Sequence, residues 1–73
     1  MKKNAINKIM EDLTKSNIGS GMIMINYEGR TIPFNPHEGN DEYFVDEDNN
    51  ILELRLESGT HWIDCDAVTS IEI

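Results

Sequence analysis

The stretch Ile51-Leu52-Glu53-Leu54-Arg55-Leu56-Glu57-Ser58-Gly59-Thr60-His61-Trp62-Ile63-Asp64-Cys65 decides the fold, because a strict apolar alternation runs into a turn and resumes beyond it. Leu52, Leu54 and Leu56 alternate with Glu53, Arg55 and Glu57, the period of a strand with one face in a core and one in water. Ser58-Gly59 suits a hairpin loop, which sets Leu56 against His61, Leu54 against Ile63 and Leu52 against Cys65 on the buried face. On the outer face the same register sets Arg55 against Trp62, a cation–π pair, and Glu53 against Asp64, a like-charge pair that costs stability.

Working outward, Asp66-Ala67 bends the chain and Val68–Ile73 closes it as a strand expected to bury Ile71 and Ile73. On the other side, Asp46–Asn50 is a polar turn preceded by a strand over Glu42–Asp46. Asn35–Asp41 gathers turn formers and reads as the longest irregular loop. Before it, Met22–Tyr27 and Arg30–Phe34 form a hairpin through Glu28-Gly29, and Pro33, which has no N–H, puts the second strand at an edge. Ile6, Ile9, Met10 and Leu13 make one stripe of an amphipathic helix over about 4–16, with Asn4 as N-cap and Ser16-Asn17 and Gly19-Ser20-Gly21 as its stop.

The expected fold is therefore α+β, an N-terminal helix followed by a curled four- to five-stranded antiparallel sheet or small barrel, in one domain over 1–73. The order helix, meander, tight turn and short final strand is similar to SH3-like and Sm-like barrels. The resemblance is architectural. The Arg-Gly or Lys-His pair of the Sm family's second motif has no counterpart around Ile63–Ser70, so no family function is carried over.

Charge narrows the partners. Residues 1–20 carry Lys2, Lys3, Lys8 and Lys15 against Glu11 and Asp12, whereas residues 21–73 carry twelve acids against Arg30 and Arg55. The net charge of −8 disfavours direct contact with nucleic acid or anionic membranes. Cys65 is the only cysteine, so no internal disulfide is expected and a reducing cytoplasm is the default compartment. Asn4, Asn7, Lys8, Glu11 and Asp12 interrupt what would have to be a signal-peptide core.

Asp46, Asp48, Asn50 and Glu57 occupy positions 1, 3, 5 and 12 of a calcium loop, but Ile51 stands where that loop needs Gly. Glu53, Asp64 and Asp66, with His61 or His37, form a looser metal candidate. Cys65 lies between Asp64 and Asp66, the wrong charge for a reactive thiolate, and reads as a core filler. His37-Glu38 has no nucleophile beside it, and Gly19-Ser20-Gly21 lacks the Lys-Ser/Thr of a phosphate loop, so neither an enzyme nor a cofactor is expected.

The expected function is a small acidic protein-binding module, an inhibitor or regulator whose acids imitate nucleic-acid phosphates for a basic protein partner. Its contact residues would be Glu38, Asp41, Glu42, Asp46, Glu47, Asp48, Glu53, Asp64 and Asp66, with Trp62 as the aromatic anchor, helped by Tyr27, Tyr43 or Phe34. The alternatives are a homo-oligomer joined through Ile32–Phe34 or Thr69–Ile73, and a binder of metal or small ligands at the acidic turns.

Overall fold

The computed structural model describes residues 1–15, 22–37 and 39–73. In chain order these form α1 (Lys3–Lys15), β1 (Ile23–Tyr27), β2 (Arg30–Phe34), β3 (Glu42–Asp46), β4 (Ile51–Leu56), β5 (Gly59–Asp64), a 3-10 turn (Cys65–Ala67) and β6 (Val68–Glu72). The stop signals read at 16–21 lie outside the described residues.

The helix opens earlier than the Asn4 cap implied. Ile6 N–H donates to the Lys2 carbonyl at 3.0 Å, so Asn4 is already inside the first turn. The chain enters the helix from a fixed point, since the Met1 nitrogen donates to the carbonyls of Cys65 (3.0 Å) and Val68 (2.8 Å). Ile6 and Met10, one turn apart on the expected stripe, are fully buried, and the helix packs on β3 and on the 3-10 turn. It is not long and apolar enough to cross a membrane.

Six strands, rather than four or five, are present among the described residues, and they form two antiparallel sheets instead of one: β2-β1-β6 and β3-β4-β5. The cause is the loop between β2 and β3, which carries the chain around a corner. Asn35 N–H donates to the Asp41 carboxylate at 2.8 Å across this loop, and a Cβ on Gly39 would meet the Asn35 carbonyl at 2.8 Å, so only glycine fits there. The second corner is the 3-10 turn, where the Asp64 carboxylate accepts the Asp66 N–H at 2.9 Å and caps it. β2 is an edge strand, as Pro33 requires.

Between the sheets lie Ile23, Ile25, Ile32, Phe34, Leu52, Leu54, Ile63, Cys65 and Val68, joined by Ile6 and Met10 from the helix. Leu56, His61 and Ile71 are half-buried rather than sealed. Ile73, expected in the core, is 62% exposed because it lies beyond the last β1–β6 pair, Met24 with Glu72.

A core this small depends on the helix as its cover on the β3 side. Met10→Ala is expected to cost about 2–5 kcal/mol in urea unfolding. A loss under about 1 kcal/mol would show that the helix does not seal the core.

Candidate functional site

The β4–β5 hairpin turns one step earlier than the sequence suggested. Its loop is Glu57-Ser58, and Gly59, at φ 139°, leads out of the turn instead of lying in it. A side chain at Gly59 would be strained, so this glycine fixes where pairing resumes. Every pair moves by two residues: Leu56 faces Gly59, Arg55 faces Thr60, Leu54 faces His61, Glu53 faces Trp62, Leu52 faces Ile63 and Ile51 faces Asp64. A two-residue shift preserves the side-chain alternation, so inner residues stay inside while their partners change. The expected pairs Arg55 with Trp62 and Glu53 with Asp64 are thereby replaced.

Combined with the β3–β4 register, this builds three rows across the outer face of the second sheet. They are Glu42–Arg55–Thr60, Phe44–Glu53–Trp62 and Asp46–Ile51–Asp64. The middle row is the centre of the site. Phe44 and Trp62 are 58% and 66% exposed, one on each side of Glu53.

Glu53 is held from both sides. Trp62 donates its indole N–H to one carboxylate oxygen at 2.8 Å, and Arg55 donates its Nε–H to the other at 2.6 Å. These two bonds, the indole's first and the guanidinium's second, hold the Glu53 carboxyl below the usual glutamate value. Trp62 therefore stays near the sheet by its edge and keeps ring surface for another molecule.

The acids around this row are locally organised. Asp46 accepts from the Asn49 side chain at 2.9 Å and from its backbone N–H at 3.2 Å, and these bonds, the side-chain one foremost, lower its pKa. Asp64 accepts from Asn50 at 3.2 Å as well as from the Asp66 N–H. Four acids, Glu42, Asp46, Glu53 and Asp64, stand against Arg55 on this face.

Of the sequence candidates, Glu42, Asp46, Glu53, Trp62 and Asp64 share the face, Glu47 and Asp48 lie in its β3–β4 turn, and Asp66 lies in the adjoining 3-10 turn. Asp41 belongs to the corner loop, and Glu38 lies outside the described residues. The calcium-loop set does not converge: Asp46, on β3, faces Ile51 at the start of β4, and Glu57 follows the end of β4, roughly 20 Å away at about 3.3 Å per residue. Among the described residues no three His, Cys, Asp or Glu side chains are gathered for a metal, and Glu53, Asp64, Asp66, His61 and His37 are no exception. Burial, then Asp64 and Asp66, pushes the Cys65 thiol up, against thiolate chemistry.

The aromatic partner of Trp62 is none of those named from sequence. Phe34 is buried, Tyr43 packs edge-on against it with centroids 6.2 Å apart, and Tyr27 is half-buried. Phe44 is the exposed one, and the alternation of Glu42-Tyr43-Phe44-Val45-Asp46 already put it beside the two acids.

Comparison with protein-family models, curated proteins and solved structures finds no match for this chain.

The Glu53 contact has a pH signature. A carboxyl lowered in the folded state contributes stability that is fully present above its unfolded value and is lost as pH falls through its folded value. Emission from Trp62, the single tryptophan, is therefore expected to change with a midpoint below 4.5, and Glu53→Gln should abolish the transition while the fold persists. A midpoint at or above 4.5, or an unchanged curve in the variant, would refute the contact.

Proposed function

We propose that the protein is a small protein-binding module that docks a basic partner protein on the outer face of β3-β4-β5, acting as an inhibitor or regulator by covering the partner's basic surface. The observation that carries this reading is the Phe44–Glu53–Trp62 row, two exposed rings held on rigid strands within an acidic rim. Interfaces commonly have this arrangement, with aromatic anchors at the centre and polar groups around them. Burying an apolar side chain the size of Phe yields about 1.5–3 kcal/mol, which makes the two rings the source of affinity. The rim contributes orientation and association rate, and it is there that salt acts.

The same reading takes the two sheets as a small barrel of SH3-like or Sm-like plan, sealed by the helix beside β3. It also takes the cytoplasm as the setting, where Cys65 remains a thiol. The acids can compete for a surface that otherwise holds phosphates, so a nucleic-acid-binding protein is the class of partner that fits.

Affinity capture from extract of the source cells, repeated with Phe44→Ala and Trp62→Ala, tests the reading. A partner retained at low salt is expected to be lost at high salt and with either variant, each weakening binding roughly tenfold or more. Phe44→Ala is on the surface and should leave stability nearly unaltered, whereas Trp62→Ala also removes the indole bond to Glu53, so its folding is checked by circular dichroism before binding is compared. A partner held equally well by both variants, or insensitive to salt, would count against this face.

A further inference from the structure

Each sheet has two edge strands, β2 and β6 in one and β3 and β5 in the other, and none has a strand partner on its outer side among the described residues. β5 is the edge of its sheet opposite β3, the strand on which the helix packs. Two cavities line that edge. One, of about 440 Å3, runs between Thr31, Ile32 and Pro33 of the β2 edge and Leu56, Glu57 and His61 of the hairpin. The other, of about 250 Å3, continues past His61 to Trp62, Ile63 and Asp64, facing Tyr27 and Glu28. His61 lines both, so the two read as one groove along β5.

The hairpin registers say which backbone groups face this groove. Leu56 and Gly59 flank a two-residue turn and occupy the hydrogen-bonded position, and bonded pairs alternate along the ladder from there. Thr60, Trp62 and Asp64 fall at the other positions, with their N–H and C=O groups aimed away from β4. On the facing wall, Tyr27 and Arg30 flank the β1–β2 turn, whose Glu28 (φ 47°) and Gly29 (φ 75°) both have positive φ. Thr31 and Pro33 therefore face outward, and proline has no N–H to give. β2 is a poor ladder partner for β5, which leaves the β5 edge to another strand.

We propose that this edge accepts an extended basic segment of the partner protein as an added strand. The charge around the groove selects its chemistry: Asp41 and Glu57 at one end and Glu28 and Asp64 at the other are acids, and among the described residues no lysine or arginine lines either cavity. The side-chain pattern follows from the pleat. Alternate residues turn inward toward Ile32, Leu56 and Ile63, while those between turn toward Asp64 and the aromatic face, so apolar and basic residues alternate in the segment. Trp62 and Asp64 belong both to this groove and to the docking face, which makes the two surfaces continuous. The proposal rests on the reading above in taking the partner to be basic.

The test uses the full chain and a synthetic peptide of about seven residues alternating lysine and valine, followed by amide hydrogen exchange. Binding is expected to slow exchange at Thr60, Trp62 and Asp64, and N-methylation of every second peptide amide should weaken it roughly tenfold or more. Equal binding by the N-methylated peptide overturns strand addition while leaving a basic partner in place. Equal binding by a glutamate–valine peptide overturns the basic occupant, and with it the reading of the face. Absence of protection at these three amides overturns the proposal outright. Protection already present in the free protein and lost on dilution assigns the edge to a second copy of this chain, and likewise overturns it.

Discussion

The register of β4 against β5 is the constraint on which the rest of the molecule's surface depends. Gly59 takes a backbone conformation that disfavours other residues, and pairing resumes beside it with Leu56. From that point Glu53 is committed to Trp62, and the β3 register adds Phe44 on its other side. The carboxylate then accepts from indole and guanidinium at once, which fixes three side chains with two bonds. Had pairing begun two residues further on, Glu53 would have met Asp64, and two like charges would occupy the middle of the sheet.

The interior explains why such a platform can be rigid on so short a chain. Each sheet supplies apolar side chains on one face, and two corners, the Asn35–Asp41 loop and the 3-10 turn, fold one sheet over the other. The helix adds Ile6 and Met10 and is tied at its start by the Met1 nitrogen to the chain just before and within β6. Along the opposite edge, among the described residues, the groove beside β5 lies between that strand and β2. The helix packs on β3 and on the 3-10 turn, and the groove runs along the β5 edge.

Much of this was legible from period alone. Alternation places Leu52, Leu54, Ile63 and Cys65 in the core, and they are buried even though each has a different neighbour from the one expected. Period identifies faces, but a shift of two residues leaves faces untouched, so pairing across the hairpin is invisible to it. The strand over Glu42–Asp46 is where its alternation puts it, and the same alternation exposes Phe44, whose signal is masked in composition by the acids on either side of the strand. The split into two sheets was hidden for a different reason. A corner loop and a hairpin loop share the same turn-forming residues, and only the Asp41 bond to the Asn35 N–H and the tight fit at Gly39 distinguish them. The acids were located well as a group, but their local bonds at Asp46 and Asp64 depend on Asn49 and Asn50, whose positions follow from a turn closed by Asn50 at φ 56°.

The platform therefore differs from a bare acidic patch: its central charge is already shared with Arg55 and Trp62, and its apolar surface is what a partner would gain. Charge supplies the rim and the approach. The measurement closest to this account is the cross-strand Hα–Hα nuclear Overhauser contact of residue 53 in the folded protein, since non-hydrogen-bonded antiparallel pairs bring those protons together. A contact between Glu53 and Trp62 is the expected result. Loss of that contact, with an Hα–Hα contact between Leu54 and Ile63 in its place, is the signature of the register that pairs Glu53 with Asp64, and it would dismantle the aromatic row and the site built on it.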